Sequence, residues 1–258
     1  MAESMTTSAA ERLDPRLTAL RRIAIVPAHN EEGCIADVVR DVRAFDPGLE
    51  VVVVDDGSHD RTGPLARAAG AHVVRLPFNL GIGGAVQTGF RYALENDFEL
   101  AVRLDGDGQH DPRELDKLLQ PLLAGDVDIV IGSRFAGGAG GYRAPIARSL
   151  GIRLFARLVS ALVGRRVTDT TSGFQALNRR AITLFAGDYP HDYPEVEATV
   201  MVFRHRLRLA EVPVAMRERV AGTSSITAFG SVYYMAKVLL ALFVGLFRRN
   251  VTPLEEDS

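Results

Sequence analysis

Two carboxylates stand two residues apart directly after an apolar run, in Asp105-Gly106-Asp107. Carboxylates at this spacing can share one hard cation such as Mg²⁺ or Mn²⁺, which favours oxygen ligands and often completes its shell with substrate phosphates. Gln109 can add a neutral oxygen to the same ion. A diphosphate leaving group needs such a cation because negative charge builds on it as its bond breaks. The pattern predicts a metal and diphosphate site, while a plain Asp-Gly turn is the alternative.

Polar clusters also follow two earlier apolar runs. They are Pro27-Ala28-His29-Asn30-Glu31 and Asp55-Asp56-Gly57-Ser58. In an open parallel sheet, ligands bind at the carboxyl ends of the strands. Each cluster alone is compatible with an ordinary turn, but three such clusters at three strand ends are expected to converge. Their convergence favours one binding site over three separate turns.

A glycine-rich stretch begins at Asn79 and runs through Leu80-Gly81-Ile82-Gly83-Gly84-Ala85. Val86 stands where the third glycine of a dinucleotide-binding G-x-G-x-x-G would be, so a dehydrogenase fingerprint is excluded. The chain also has no G-x-x-x-x-G-K-[ST] phosphate-binding loop. A nucleotide-binding loop and a plain helix entrance both remain open for this stretch.

The elements that must position these residues alternate between short apolar strands and amphipathic helices, which is typical of an α/β protein with a mostly parallel sheet and helices on both faces. Asp111 is expected to cap a helix, with Pro112 in its first turn. Strands are predicted at Ile23–Val26, Val51–Val54, His72–Leu76, Ala101–Leu104, Ile129–Ile131, Phe174–Leu177 and Leu209–Met216, and helices near 34–45, 60–69, 82–96, 112–123 and 193–206.

Composition excludes several classes of protein. The 258 residues are 47% hydrophobic and 24% charged, as in a globular domain. A single cysteine, Cys34, suits a reducing compartment, and neither it nor the histidines form a zinc-type pattern. The first twenty residues contain no apolar run of the secretory kind. Residues 1–140 carry 14 basic and 22 acidic side chains, whereas residues 141–258 carry 16 and 10. This asymmetry suggests different partners for the two halves.

In order and spacing, the motifs resemble the inverting family-2 glycosyltransferases, in the branch of polyprenyl-phosphate (dolichol-phosphate mannosyltransferase-like) sugar synthases. The resemblance covers roughly Ile23 to Ser225. Beyond the clusters already named, the matching pieces are Gly132-Ser133-Arg134, Asp169-Thr170-Thr171-Ser172-Gly173-Phe174, Glu211-Val212-Pro213, Arg219 and Gly222. One departure is that Thr223-Ser224-Ser225 lacks the lysine that the family often has in Gly-x-Ser-Lys.

The resemblance implies a GT-A fold that binds a nucleotide-sugar donor over the first half of the chain. The implied donor-binding residues are Pro27, Ala28, Asn30, Glu31, Asp55, Asp56, Gly81, Asp105 and Arg134. Asp105, Asp107 and Gln109 would hold Mg²⁺ or Mn²⁺. Asp107, Asp169 and Arg219 are the implied catalytic residues, with Arg219 reaching phosphate. Arg143, Arg148, Ser172 and Glu197 are the implied acceptor-binding residues.

The second half suits a membrane surface. Residues 141–168 contain six arginines and no acid, which is typical of a helix on an anionic leaflet or of an ordinary basic surface helix. Ile226–Phe247 is apolar nearly all round and 22 residues long, but Lys237 near its centre disfavours a full span. We therefore expect a shallow or interfacial helix at the cytoplasmic membrane face. Such a helix could also contact a membrane protein, and no nucleic-acid partner is expected.

These observations divide the chain into a flexible segment 1–20, a glycosyltransferase domain 21–225, an apolar helix 226–249 and an acidic tail 250–258. Within the domain, residues 21–136 form the donor half and 137–225 the acceptor half. The leading hypothesis is transfer of a hexose from a UDP- or GDP-sugar to polyprenyl phosphate. The alternatives are transfer to a saccharide or lipid-linked sugar hydroxyl, with Asp169 as the base, and a non-catalytic nucleotide-sugar-binding membrane scaffold.

Overall fold

The computed structural model describes residues 14–136, 160, 167–169, 171–191 and 194–217. A seven-stranded sheet forms its centre. The strands are β1 Arg22–Ala28, β2 Glu50–Asp55, β3 His72–Arg75, β4 Leu100–Arg103, β5 Ile129–Ser133, β6 Gln175–Asn178 and β7 Leu209–Pro213. They are arranged in the order β3-β2-β1-β4-β6-β5-β7. Every neighbouring pair is parallel except the two that include β6, which is antiparallel to β4 and β5. The predicted mostly parallel sheet is confirmed.

Helices cover both faces of the sheet. They are α1 Pro15–Thr18, α2 Ile35–Phe45, α3 Thr62–Ala68, α4 Gly81–Glu95, α5 Leu115–Leu123, α6 Arg179–Gly187 and α7 Pro194–Arg204. Successive side chains of a strand point to opposite faces, and β1 shows the result. Its Ala24 and Val26 belong to the core beneath α2 and α5. Its Ile23 and Ile25 belong to the core beneath α4 and α6.

Asp111 starts the segment before α5 as its sequence predicts. The Asp111 carboxylate accepts a hydrogen bond from the Arg113 backbone at 3.1 Å, and Pro112 follows in the first turn. That turn, Pro112–Glu114, is a 3-10 helix that leads into α5. Burial alone would raise the pKa of Asp111, but Arg113 and Arg217 lower it to about 2. The Asp111 carboxylate is therefore charged at neutral pH, and its hydrogen bond from Arg217 at 2.9 Å ties the start of this segment to the last described residue.

Residues 14–20 are part of the fold, because α1 places Leu17 fully inside the core, so the folded domain begins before residue 21. The arginine-rich residues 141–168 lie almost wholly outside the described residues. The apolar segment Ile226–Phe247 and the acidic tail 250–258 lie entirely outside them. Within the described part of the chain, none of the helices combines the length and the apolarity that crossing a bilayer requires.

Candidate active site

One cleft of about 350 Å³ lies at the carboxyl edge of the central strands. Residues from the ends of β1, β2 and β4 line it together with the start of α4 and the start of α7. The lining residues are Pro27, Ala28, His29, Glu31, Asp56, Asn79, Gly81, Ile82, Ala85, Arg103, Asp105, Gly106, Asp107 and Glu195. The three polar clusters that the sequence places at strand ends therefore meet in one cavity.

The Asp105-Gly106-Asp107 turn forms the floor of this cleft. Gly106 lies against the end of β1, where a Cβ atom would come within 3.1 Å of the Ala28 Cβ and the Pro27 carbonyl oxygen. This close approach explains the glycine between the two carboxylates. The Asp107 carboxylate accepts a hydrogen bond from the Gln109 backbone at 3.0 Å, which turns the chain back toward the protein.

The Asp105 carboxylate is the group that fits a cation. Its Oδ1 atom is buried and has no hydrogen-bond partner among the described residues, although the side chain as a whole is 37% exposed toward the cleft. An unsatisfied carboxylate oxygen beside Asp107 matches the oxygen ligands that Mg²⁺ and Mn²⁺ prefer. In the described ranges no group of three or more His, Cys, Asp or Glu side chains could hold a metal on its own. The residues therefore fit an ion that is completed by substrate oxygens, rather than a closed protein cage.

His110 supports Asp105 from behind. Its Nδ1 atom accepts a hydrogen bond from the Asp105 backbone at 3.0 Å, and its ring stacks on Phe174 with a centroid distance of 4.9 Å. Burial lowers the pKa of His110 more than the nearby Asp105 and Asp107 raise it, so the ring is neutral at pH 7. His110 directly follows the predicted metal motif in the sequence, but no role for it was predicted.

Arg103 and Glu195 are cleft residues that the sequence analysis missed. Arg103 ends β4 and is almost completely buried, and its Nη2 atom donates to Glu195 Oε1 at 2.8 Å. Its Nη1 atom donates to the Tyr189 hydroxyl at 3.1 Å. Burial alone would lower the pKa of Arg103, but Tyr189, Glu195 and Asp105 raise it above its ordinary value. The sequence signal for Arg103 was its position within an apolar strand, and this signal did not indicate that it would contact Glu195.

The predicted donor-binding residues divide into two groups. Pro27, Ala28, Glu31, Asp56, Gly81 and Asp105 line the cleft. Asn30, Asp55 and Arg134 are not among the lining residues. Asp55 is buried and accepts a hydrogen bond from the Ser58 backbone at 3.0 Å, so it shapes the turn that carries Asp56. Asn30 adopts a φ of 56° and accepts from the His59 backbone at 2.9 Å. These contacts organise the pocket wall, and direct nucleotide contact by these residues stays a prediction.

The start of α4 forms one rim of the cleft. Asp56 accepts a hydrogen bond from the Leu80 backbone at 2.7 Å, which links the β2 turn to this helix. Gly83 lies against residues 190–191, and a Cβ atom there would come within 2.3 Å of the Pro190 carbonyl oxygen. The glycines after Asn79 therefore allow α4 to pack closely on the segment that precedes α7. Of the two interpretations of residues 79–85, the helix entrance agrees with the structure, and this entrance also borders the cleft.

Asp169 and Arg134 form a buried ion pair outside the set of cleft-lining residues. Arg134 donates from Nε to Asp169 Oδ2 at 2.8 Å and from Nη2 to Oδ1 at 2.9 Å. Asp169 is fully buried, which alone would raise its pKa, but the hydrogen bonds and charge of Arg134 lower it. A carboxylate with both oxygens held by a guanidinium suits a structural counter-ion better than a general base. The predicted catalytic role of Asp169 stays untested.

The remaining predicted site residues lie outside the cleft lining or outside the described residues. Ser172 is buried and donates to the Gly132 carbonyl at 2.6 Å, which joins the segment before β6 to β5. Glu211 of the Glu-Val-Pro motif accepts from the Asp169 backbone at 2.8 Å and so anchors the same segment. Glu197 lies on α7 but does not line the cleft. Gln109 also lies outside the cleft lining. Arg143, Arg148 and Arg219 lie outside the described residues.

A mixed, mostly parallel sheet with acidic turns at the carboxyl ends of its central strands defines a nucleotide-binding type of α/β protein. The chain belongs to glycosyl transferase family 2, whose family model matches residues 23–185. It is 33% identical over 216 residues to the undecaprenyl-phosphate mannosyltransferase of Micrococcus luteus, covering 81% of this chain and 88% of that protein. It is also 31% identical over 216 residues to the polyprenol monophosphomannose synthase of Mycolicibacterium smegmatis, covering 80% and 81%.

A solved structure shares the fold. Glucosyl-3-phosphoglycerate synthase from Mycobacterium tuberculosis, in complex with Mn²⁺, uridine diphosphate and phosphoglyceric acid, superposes with a TM-score of 0.69. The sequence identity is 22%, and the match covers 94% of this chain and 84% of that protein. At this identity the likeness concerns the fold alone. The resemblance to polyprenyl-phosphate sugar synthases that the motifs indicated is confirmed by the family and the named relatives.

Proposed function

We propose that the protein transfers a hexose from a UDP- or GDP-sugar to polyprenyl phosphate at the cytoplasmic face of a membrane. In this proposal it has a GT-A fold and uses Mg²⁺ or Mn²⁺. The donor diphosphate lies over the Asp105-Gly106-Asp107 turn, and the nucleotide lies toward β1 and β2. The C-terminal apolar stretch and the basic stretch at 141–168 would hold the protein at the membrane and could contact a membrane-protein partner.

The observation that carries the donor half of the proposal is the Asp105 carboxylate. Its Oδ1 atom is buried without a hydrogen-bond partner among the described residues, and the Asp105 side chain as a whole borders a cleft lined by three strand ends. A buried oxygen without a partner costs on the order of 1–3 kcal/mol, so a native structure keeps one where a ligand completes it. When bound, the cation would stabilise the negative charge that develops on the departing diphosphate.

The acceptor half rests on chemistry and on the relatives. The two named relatives are an undecaprenyl-phosphate mannosyltransferase and a polyprenol monophosphomannose synthase. A lipid phosphate is already ionised at neutral pH, so it can attack the anomeric carbon without a strong general base. The enzyme then needs only to orient the two substrates and to stabilise the leaving group. The ion pair between Asp169 and Arg134, which leaves neither Asp169 oxygen free for a proton, agrees with an acceptor of this kind.

The test is an incubation with radiolabelled UDP- and GDP-sugars, Mg²⁺ or Mn²⁺, and undecaprenyl phosphate, followed by organic extraction. We expect one donor to give a labelled lipid product, and Asp105→Asn to remove at least 99% of the rate, as expected from losing about 2.7 kcal/mol or more of charge stabilisation. Asp37→Asn is the matched control, because this carboxylate is 72% exposed on α2, outside the cleft. If no donor labels the lipid, the acceptor assignment is wrong.

A second candidate function is transfer to a sugar hydroxyl, and Glu195 is the observation that favours it. A hydroxyl acceptor needs a general base. Glu195 is the carboxylate of α7 that lines the cleft, whereas Asp169 is closed off by Arg134. Under this alternative, saccharide acceptors are labelled instead of the lipid phosphate, and Glu195→Gln abolishes that transfer. Labelling of undecaprenyl phosphate by the wild type, with saccharides unlabelled, would decide against this alternative.

A further inference from the structure

A single buried guanidinium lies between two carboxylates of the cleft. The Arg103 side chain is 1% exposed, and its Nη2 atom lies 2.8 Å from Glu195 Oε1 and 3.6 Å from Asp105 Oδ1. The shorter contact is a hydrogen bond, whereas the longer one is an ion pair without a hydrogen bond. Arg103 Nε is itself buried without a partner among the described residues. The Arg103 guanidinium therefore interacts more strongly with Glu195 than with Asp105.

The space around this cluster is closely filled. A Cβ atom on Gly173 would come within 2.8 Å of Asp105 Oδ1 and within 3.1 Å of Arg103 Nη2. Tyr189 holds the other terminal nitrogen of Arg103 at 3.1 Å. Because neighbours on both sides fix the guanidinium, it does not swing away when the charge on Asp105 changes. Its positive charge remains beside any cation that Asp105 binds.

The positive charge of Arg103 weakens the binding of a divalent cation that arrives without a diphosphate. A divalent ion on Asp105 lies within a few ångströms of the fixed positive charge of Arg103, so the two repel each other. A diphosphate carries negative charge to the same place, and it attracts both the ion and the guanidinium. The repulsion that opposes the metal alone is thereby offset when metal and nucleotide are bound together.

We propose that Arg103 makes metal binding depend on the donor. In this role Arg103 is a positioning residue: it keeps Asp105 partly neutralised, so that the divalent cation binds weakly alone and firmly once a nucleotide diphosphate is present. Glu195 tunes the effect by drawing the guanidinium away from Asp105. The inference deepens the proposed function, since it assumes that Asp105 is a metal ligand for a nucleotide-sugar donor.

The experiment measures Mn²⁺ binding to the whole chain from the electron paramagnetic resonance signal of the free ion, without nucleotide and with UDP or GDP. Arg103→Gln removes the positive charge, and we expect it to tighten binding of Mn²⁺ alone by about tenfold. The enhancement that the nucleotide produces should shrink correspondingly. Arg103→Lys keeps a charge at the position and should remain nearer the wild type than Arg103→Gln does.

Glu195→Gln should change the affinity for Mn²⁺ alone in the direction opposite to Arg103→Gln. It leaves Arg103 with Asp105 as its remaining carboxylate partner in the cleft, so Mn²⁺ alone should bind several-fold more weakly than to the wild type. General damage to the fold would weaken binding in both variants and would not produce opposite signs. If Arg103→Gln does not fold, Mn²⁺ binding to Glu195→Gln is compared with the thermal melt of that variant: weaker binding at an unchanged melting temperature supports the role of Arg103, and unchanged binding overturns it.

The matched control is a buried arginine outside the cleft. Arg22 on β1 pairs with Asp46 through bonds of 2.6 and 2.8 Å, and both side chains are buried. Arg22→Gln should lower stability and leave Mn²⁺ binding unchanged. Unchanged Mn²⁺ affinity in folded Arg103→Gln or in Glu195→Gln would overturn the role of Arg103. If neither nucleotide strengthens Mn²⁺ binding to the wild type, the donor proposal and the donor dependence both fail, whereas a nucleotide enhancement that is the same in wild type and Arg103→Gln overturns the role of Arg103 alone.

Discussion

Replacing Asp169 with Asn separates a structural role from a catalytic one. In the fold Asp169 is fully buried and both of its oxygens accept hydrogen bonds from Arg134, at 2.8 and 2.9 Å. Asparagine keeps the shape but removes the charge, and the largely buried Arg134 guanidinium loses the negative charge of Asp169. Breaking a buried ion pair by removing one partner costs about 3–5 kcal/mol. Since the free energy of unfolding of a domain is roughly 5–15 kcal/mol in total, the Asp169→Asn variant should be only marginally stable at 37 °C.

The assay is urea unfolding at pH 7 of wild type, Asp169→Asn, Arg134→Gln and the double variant. The two single changes should each destabilise strongly, and the double change should cost clearly less than their sum, with a coupling of roughly 1–3 kcal/mol. The slope of the unfolding free energy with urea should stay constant if the folded state keeps its compactness. Nucleotide binding is measured in parallel at a temperature where every variant is folded.

The opposite result would refute this reasoning. If Asp169→Asn unfolds at the same urea concentration as the wild type, binds nucleotide normally and loses all transfer, Asp169 acts on the substrate rather than on the fold. That outcome would restore Asp169 as a general base and would favour a hydroxyl acceptor over a lipid phosphate.

Four further outcomes are expected. Gly89→Ala on α4 should lower stability by about 1–3 kcal/mol in a thermal melt, because its Cβ would come within 2.2 Å of Ile25 Cγ2. Gly187→Ala has no atom within 4 Å of the new Cβ and should instead raise stability by up to about 1 kcal/mol; equal melting temperatures for the two would contradict the packing. Asp111 has a folded pKa of about 2 against 3.8 for the free group, so its contribution is full above pH 4 and is lost as pH falls toward 2. Acid unfolding of Asp111→Asn should be flatter across that range, and an unchanged slope would exclude the cap as its source. Chelating divalent metal with EDTA should remove the rise in melting temperature that the donor nucleotide produces, and a rise that survives chelation would mean that binding needs no metal.

The regular elements of the donor half could be predicted from sequence because their signals are local. Strands such as Val51–Val54 are short β-branched runs, and Asp111-Pro112 marks a helix start within a few residues. The direction of β6 could not be predicted, because a four-residue strand has the same pattern in either orientation. Its antiparallel pairing with β4 and β5 depends on how the chain returns to the sheet after residue 136.

The candidate site was predictable only in part, because the orientation of its side chains and the contacts between distant residues depend on the whole fold. Sequence motifs place acidic residues at strand ends, but they do not tell which carboxylate faces a ligand. Within Asp55-Asp56, the first accepts from the Ser58 backbone and supports the turn, while the second lines the cleft. Arg103 and Glu195 are separated by 92 positions, so only the folded sheet brings them together.

Whether a carboxylate is satisfied within the protein distinguishes ligand-binding groups from structural ones better than membership in a motif. Asp169 belongs to a family motif, yet Arg134 occupies both of its oxygens. Asp105 belongs to a motif too, but its Oδ1 atom is buried without a hydrogen bond among the described residues. Because a fold hydrogen-bonds nearly every buried polar atom, an unpaired oxygen on a side chain that also borders the cleft is a candidate for completion by a ligand. Asp105 meets both conditions, and Asp169 meets neither.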